Sequence, residues 1–255
     1  MIILVFLRPV LDPSGFTVNR RAQKIFVNRP SYIINPADKN ALEAALQMAG
    51  EADTVLAVAL GEAQAEDILR QARALGAHRA LWVNDDRLKQ ADAAVVTTVC
   101  QRVVEQLGEV DLALLGGEVV DADFAQIGPR LAQALAWPMV LDAHRVEAGD
   151  GVVRAIAPRG AAFHSAEADL PAVITIARDS NKPRYARGLD VVKAYRAEDA
   201  VEVWSAADLG LSEADLRPVT ERRGESFPSE RELGKRLEGS ADETASQLAE
   251  VIRKS

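Results

Sequence analysis

Short apolar runs rich in β-branched residues alternate with longer segments of helical period as far as about residue 140, and this alternation constrains the fold most. The runs are Ile2 to Leu7, Thr54 to Leu60, Arg79 to Val83 and Asp111 to Leu115. Each is nearly continuous in apolar residues, as a strand covered on both faces of a parallel sheet has to be. Between them, Pro36 to Ala49 carries Ala41, Leu42, Ala45, Leu46 and Ala49 on one face, and Ala63 to Leu75 carries Ile68, Leu69, Ala72 and Leu75. Asp92 to Leu107 does the same with Val95, Val96, Val99, Val103 and Leu107. The pattern predicts an α/β fold: a doubly wound, mostly parallel sheet with helices on both faces.

Two segments depart from that alternation. Asp12 to Pro30 is too long for a turn, and its pieces Phe16-Thr17-Val18-Asn19 and Lys24-Ile25-Phe26-Val27-Asn28 predict either an excursion hairpin or a functional loop. After Trp204 the chain turns polar, with Pro218, Pro228 and many charges. It ends in an amphipathic helix near Ser240 to Ile252 that carries Ala245, Leu248, Val251 and Ile252. Such a helix has to fold back or dock on a partner, and docking is the expectation. The domains expected are an α/β unit over 1–204 and a C-terminal arm with its helix over 205–255.

Charge and motif content exclude several functions. Against 38 acidic side chains stand 30 basic ones, a net charge of −8, so the chain repels a nucleic-acid backbone and no nucleic-acid partner is expected. The single cysteine, Cys100, lies on an apolar helical face and reads as core. His78, His144 and His164 are scattered, without metal-ligand spacing, and the last two lie in polar segments. The sequence lacks G-x-x-x-x-G-K-[ST], a G-x-G-x-x-G after the first strand, G-x-S-x-G and H-E-x-x-H, so no catalytic residue is assigned. Met1 to Leu7 is too short to span a bilayer and has no cleavage signature, so a cytoplasmic protein without direct membrane insertion is expected.

In an open parallel sheet, ligands collect at the carboxyl ends of the strands, where helix N-termini offer unpaired N–H groups. The segments reaching that edge are Phe6 to Arg8, Asn35 to Asp38, Leu60 to Glu62 and Gly116 to Pro129. Gly116 and Gly117, directly after a buried strand, let backbone approach a ligand closely. Asp123 and Gln126 read either as a helix cap with its capping-box partner or as part of a phosphate loop. A helix capped by Asp123 would put Pro129 at its sixth position and lose the bond to Ala125, whereas a start near Ala125 or Gln126 puts Pro129 in the first turn.

At these segments the chain resembles the β subunit of electron transfer flavoproteins. Asn35-Pro36-Ala37-Asp38-Lys39-Asn40-Ala41-Leu42-Glu43-Ala44-Ala45 is similar to the family's N-P-x-D/E-x-x-A-x-E-E-A helix start. Leu60-Gly61-Glu62-Ala63-Gln64 with Ala74-Leu75-Gly76-Ala77-His78-Arg79-Ala80 resembles G-P-x-x-A…A-L-x-M-G-A-D-R-A, and Trp137-Pro138 falls where a Trp-Pro pair is common. Leu170-Pro171-Ala172-Val173-Ile174-Thr175 with Lys182-Pro183-Arg184-Tyr185-Ala186 resembles L-P-A-V-[VI]-T…[NE]-x-P-R-Y.

The resemblance implies an adenine-nucleotide-binding, Rossmann-like domain in a heterodimer whose α subunit holds FAD, shared with this subunit. It further implies AMP or a second FAD in this subunit, electron supply from flavin dehydrogenases and delivery to a quinone-linked oxidoreductase. It places the cofactor-binding residues at Phe6, Asn35, Pro36, Ala37, Asp38, Leu60, Gly116, Gly117, Glu118, Val119, Asp121, Ala122, Asp123, Phe124, Ala125, Gln126, Ile127 and Gly128. A recognition loop at about 178–197 supplies Arg184, Tyr185 and Leu189 for partner docking, with Leu189 one residue later than the family's usual anchor and just before a helix over Asp190 to Arg196. Arg8 matches a basic position, whereas Pro13 stands where some members carry an aromatic. Phe124 replaces a threonine of the bifurcating members, and the polar AMP-loop signature is missing. AMP, which backbone N–H groups alone can hold, is the expected ligand, with a bifurcating-type second FAD as the alternative. A stand-alone nucleotide sensor of the universal-stress type and a scaffold that has lost its nucleotide are the other readings. The tail from about Ser205 is expected to clasp the α subunit.

Overall fold

The structure, a computed structural model, describes residues 1–27, 30–120, 125–221, 223–224, 226–227, 234 and 236–254. β1 (Ile2–Leu7) is buried on both faces: Ile3, Val5 and Leu7 enter one core, Leu4 and Phe6 the other. The chain then leaves the main sheet through β2 (Pro9–Leu11), β3 (Phe16–Asn19), β4 (Lys24–Val27) and β5 (Tyr32–Ile34). β2 pairs antiparallel with β5 and β3 with β4, so the segment after Asp12 contains the expected hairpin.

The alternating unit follows as α1 (Pro36–Met48), β6 (Thr54–Leu60), α2 (Ala63–Leu75), β7 (Arg79–Val83), α3 (Ala93–Leu107), β8 (Leu112–Gly116) and α4 (Ile127–Leu135). Gly76 ends α2 in the left-handed region at φ +117°, its N–H returning to the carbonyls of Ala72 and Arg73. Next come β9 (Met139–Ala143), β10 (Arg145–Gly149), β11 (Val152–Arg159), β12 (Ala162–Asp169), β13 (Ala172–Ile176), α5 (Gly188–Arg196) and β14 (Glu202–Trp204).

Seven strands form one sheet in the order β14-β7-β6-β1-β8-β13-β9, with every neighbouring pair parallel. Ala41, Leu42 and Ala45 of α1 and Ile68, Leu69 and Ala72 of α2 cover one face. Val95, Val99 and Val103 of α3 and Ile127 and Leu131 of α4 cover the other. A fully buried side chain such as Leu42 or Ile68 contributes about 1.5–3 kcal/mol. The strand order reverses beside β1: the chain builds outward through β6 and β7, then returns to place β8 on the other flank. That reversal puts a crevice at the carboxyl ends of β1 and β8.

β10, β11 and β12 form a separate antiparallel sheet inserted between β9 and β13. Val153 and Ala155 of its middle strand join the α1–α2 core, while Ile156 and Phe163 remain exposed. The β10–β11 turn has positive φ at both Asp150 (55°) and Gly151 (79°), as a tight hairpin requires.

Beyond Trp204 the chain keeps packing on its own domain. Ala206, Leu209, Leu211 and Leu216 are buried in the α3–α4 core. One Asp92 oxygen accepts from Ala94 N and Val95 N at 3.1 Å, capping α3, while the other accepts from Val219 N (2.8 Å), Thr220 N (2.9 Å) and Thr220 Oγ1 (3.0 Å). The first compact unit therefore runs to Glu221, past the expected boundary at 204, because the four apolar side chains after Trp204 are needed to cover the α3–α4 face. The second unit, Arg222–Ser255, contains α6 (Ala241–Lys254), whose Leu248, Val251 and Ile252 are exposed. Ser240 and Glu243 form a capping box at its start, with Ser240 N donating to Glu243 Oε2 at 2.8 Å. Among the described residues no helix is long and apolar enough to cross a membrane.

Asp92→Ala removes a cap and a tail anchor together, and a loss of about 1–2 kcal/mol is expected in urea unfolding. Asp85 is held at a pKa of about 2, chiefly by the Arg87 side chain that donates to it at 2.8 and 2.7 Å. A depressed carboxyl contributes its stability above the ordinary value of 3.8 and loses it as pH falls toward 2. Asp85→Asn should therefore flatten the pH dependence of the unfolding midpoint in that window, leaving wild type and variant alike near pH 2.

Candidate functional site

The crevice is framed by three chain segments joined through one carboxylate. Asp38, in the first turn of α1, has a side chain that is 0% exposed. Its Oδ2 accepts from Arg8 N and Arg8 Nε, both at 2.9 Å, and its Oδ1 from Arg8 Nη2 at 2.6 Å and Gly116 N at 2.9 Å. Four donors fill the carboxylate's acceptor positions. Asp38 thus locks the end of β1 and the end of β8 onto the start of α1. Arg8 Nη2 reaches on to the carbonyls of Gly116 (3.3 Å) and Glu118 (3.4 Å), and Asn35 Nδ2 donates to the same Glu118 carbonyl at 2.8 Å.

The two glycines serve this locking directly. A Cβ on Gly116 would meet Asp38 Oδ1, and Asp38 N at 2.6 Å, so the α1 turn and the strand end touch backbone to backbone. A Cβ on Gly117 would run into Asp142 Oδ1, while Gly117 N donates to Ile176 O at 2.8 Å. The close approach at Gly116 is internal, backbone against backbone, and this rather than ligand approach excludes a side chain there; at Gly117 only the end of the exposed Asp142 side chain stands in the way.

The other expected positions spread around this frame. Phe6 and Ile127 point into the α3–α4 core, and Ala37 is fully buried. Pro36, Leu60 and Val119 are half-buried, whereas Glu118, Ala125 and Gln126 are exposed. A Cβ on Gly128 would meet Thr175 Cγ2 at 2.5 Å, so this glycine serves helix-to-strand packing. Asp121, Ala122, Asp123 and Phe124 lie outside the described residues. α4 begins at Ile127 with Gln126 as its cap, which puts Pro129 in the first turn.

Helix caps mark where an anion could sit. α3 is capped by the Asp92 side chain, but α1, α2 and α4 carry no side-chain cap bond among the described residues. Those three N-termini follow the edge segments at Asn35, Glu62 and Gln126. Their N–H groups present partial positive charge toward an anion. Beside them, Asn35 is 0% exposed, and its Oδ1 has no hydrogen-bond partner among the described residues. A buried acceptor left without a donor costs about 1–3 kcal/mol, so this atom fits a ligand that brings an N–H or O–H.

The segment expected to dock partners leaves β13 and is held against α1. Residues 177–187 have no regular secondary structure, yet two buried polar side chains of α1 hold them. Asn40 Nδ2 donates to Asn181 O and Oδ1 at 2.9 Å, Asn181 Nδ2 donates to Asn40 O at 2.9 Å, and Asp179 N donates to Asn40 Oδ1 at 3.2 Å. Glu43 accepts from Arg184 N (3.0 Å), Nε (2.8 Å) and Nη2 (3.2 Å), and from Gln47 Nε2 (2.8 Å). Burial pushes the Glu43 carboxyl up, but the hydrogen bonds from Arg184 outweigh it and hold the group below its ordinary value. Of the expected docking residues, Arg184 faces inward to this pair, while Tyr185 is 87% and Leu189 76% exposed. Leu189 sits in the first turn of α5, which begins two residues before the expected start at Asp190.

Known proteins are similar to this chain in sequence over most of its length. The electron transfer flavoprotein domain matches residues 24–209. Subunit CarD of the caffeyl-CoA reductase-Etf complex of Acetobacterium woodii is 30% identical over 216 residues, 83% of this chain and 81% of its own. The electron transfer flavoprotein subunit beta of Thermoanaerobacterium thermosaccharolyticum is 30% identical over 244 residues, 89% of this chain and 92% of its own. That of Bacillus subtilis is 30% identical over 232 residues, 90% and 89%. The chain belongs to the electron transfer flavoprotein family.

An electron transfer flavoprotein subunit works within a flavoprotein assembly and acts in electron transfer, as the names of these beta-subunit relatives state. Cys100 is buried, and burial raises its thiol pKa far above the ordinary value. His144 and His164 are exposed, His144 meeting Phe163 edge to face at 5.2 Å. No cluster that could hold a metal ion occurs among the described residues. An open depression of about 700 Å³ lies away from the sheet edge, between the end of α2 and α5, lined by Arg73, Arg184, Arg187 and Lys193. The helix starts without a side-chain cap bond and the unpartnered Asn35 oxygen, by contrast, lie at the carboxyl edge of the sheet.

Gly117→Ala brings a methyl group against the carboxylate end of the exposed Asp142, which can turn aside, and a loss below about 1 kcal/mol is expected. Asp142 itself sits at φ +50°, so Asp142→Gly removes the obstacle and suits the backbone. The double variant should recover most of the loss in urea unfolding; additive losses would show that the two residues do not meet.

Proposed function

We propose that this chain is the beta-type half of a heterodimeric electron carrier whose alpha-type partner holds the redox-active FAD, and that it holds AMP at its own sheet edge. The bound FAD supplies the electron-carrying chemistry; this chain walls, orients and docks. Asn35 to Asp38 and Leu60 flank the adenine, with Asn35 Oδ1 accepting from its amino group. The loop from Gly116 to Gly128 receives the phosphate through backbone N–H groups beyond Gly117, since those of Gly116 and Gly117 already donate to Asp38 and Ile176. Asp38 contributes alignment, since its acceptors are engaged by Arg8 and Gly116.

The segment at Arg184 to Leu189 receives flavin dehydrogenases, a quinone-linked oxidoreductase takes the electrons onward, and the arm beyond Glu221 clasps the alpha-type partner in the cytoplasm. The relative named for a caffeyl-CoA reductase complex supports assembly with a flavin dehydrogenase. What supports the nucleotide reading is the buried Asn35 oxygen, without a partner among the described residues, at the start of α1, a helix whose N-terminus has no side-chain cap bond.

The test is to purify the chain with its partner, denature the complex, and count FAD and AMP by chromatography. One of each per heterodimer is expected. Two FAD would replace AMP by a second flavin, and no FAD would overturn the carrier assignment. Asn35→Ala removes about 1 kcal/mol of hydrogen bonding, so roughly fivefold weaker AMP retention is expected with FAD content unchanged.

A further inference from the structure

We infer that Asn40 and Glu43 are positioning residues for partner docking: a buried polar pair on α1 that sets residues 179–189 in one conformation, so that Tyr185 and Leu189 are presented ready-made. The inference rests on the proposed docking role of that segment and adds the device that shapes it.

Eleven residues of coil from Ala177 to Arg187 join β13 to α5. A coil of that length ordinarily samples many conformations, and fixing each residue costs about 1–2 kcal/mol. Here Asn40 and Glu43 are only 4% and 5% exposed, and every hydrogen bond given for Glu43 apart from that of Gln47 comes from Arg184. The contacts take hold at Asp179, Asn181 and Arg184, including two backbone N–H groups, so they fix main-chain direction as well as side-chain position. Arg184 is followed at once by Tyr185, and Leu189 stands on the first turn of α5. That helix is itself tied to α2 by Arg70 Nη1 donating to Ala194 O (2.8 Å) and Ala197 O (3.0 Å) and by Tyr195 Oη donating to Asp67 (2.6 Å). The exposed pair therefore lies between two anchored points. Two buried hydrophilic side chains aimed at a coil add little to the hydrophobic core; what they do is choose the coil's shape. A partner that binds only the ordered shape loses apparent affinity in proportion to the fraction of time that shape is absent.

The experiment uses the flavin-loaded heterodimer in wild-type, Glu43→Ala, Glu43→Gln and Tyr185→Ala/Leu189→Ala forms. Amide hydrogen exchange is followed over residues 179–189. The heterodimer is also titrated as substrate of a flavin dehydrogenase shown to reduce the wild type. Glu43→Ala should speed exchange in the segment and raise the KM for the carrier about tenfold, with kcat and the flavin absorption spectrum unchanged. Glu43→Gln, which keeps an acceptor for Arg184, should recover part of both effects and covers the case in which the alanine variant does not fold. Unchanged exchange in both Glu43 variants overturns the inference. So does faster exchange with an unchanged KM while Tyr185→Ala/Leu189→Ala raises it, an outcome that leaves the docking role standing. An unchanged KM in Tyr185→Ala/Leu189→Ala overturns the docking role itself, and this inference with it.

Discussion

The buried Asp38 carboxylate is the contact on which the sheet edge depends. Three segments distant in sequence, the end of β1, the start of α1 and the end of β8, meet there, and each supplies a donor or the acceptor. The arrangement is all or nothing. With both partners present the charge is matched side-on by a guanidinium and the two remaining lone pairs go to the backbone N–H groups of Arg8 and Gly116. With one removed, the other is left charged in a dry site at a cost of about 3–5 kcal/mol. Gly116 belongs to the same constraint, because only a residue without Cβ lets the strand end lie against the first turn of α1.

α1 extends this role along its length. Ala41, Leu42 and Ala45 face the sheet, Asn35 and Asp38 hold the edge loops, and Asn40, Glu43 and Gln47 fall at i, i+3 and i+7 on a flank facing the segment after β13. A single rigid helix thereby references both the proposed nucleotide edge and the proposed docking surface to one frame. In an electron transfer flavoprotein the flavin carries the chemistry, and a fixed frame is what a polypeptide can contribute to it.

Much of the fold was legible because buried parallel strands announce themselves. Ile2 to Leu7, Thr54 to Leu60 and Arg79 to Val83 are the observed strands, and the fourth lies one residue further on, at Leu112–Gly116. The β10–β12 sheet was not read, because a strand that is half solvated and rich in alanine, such as Ala162-Phe163-His164-Ser165-Ala166, carries little apolar contrast. Its turn at Asp150-Gly151 was the available signal. At the site, the glycines, Asn35 and Asp38 stood out, but their partners did not. From sequence Asp38 reads as available to a ligand, whereas Arg8 and Gly116 engage it, and nothing local marks Glu43 as the partner of Arg184, 141 residues away. Long-range pairing between charges has no periodicity to betray it. The stretch after Trp204 misled for a related reason: four apolar side chains spaced among charges resemble a linker until the core they cover is known.

The central position of β1 also shapes how the chain acquires its fold during synthesis. Its neighbours on either side, β6 and β8, are paired in register from Thr54 and Leu112, so the middle strand cannot be flanked on both edges until Gly116 has been made. At ~5–20 residues per second, the interval between translating Leu7 and Gly116 is on the order of ten seconds. Throughout it a fully apolar strand has an open edge near the ribosome. The nascent chain is thus exposed to mispairing for a time set by topology, and residues 8–116 are the stretch over which a chaperone has something to protect.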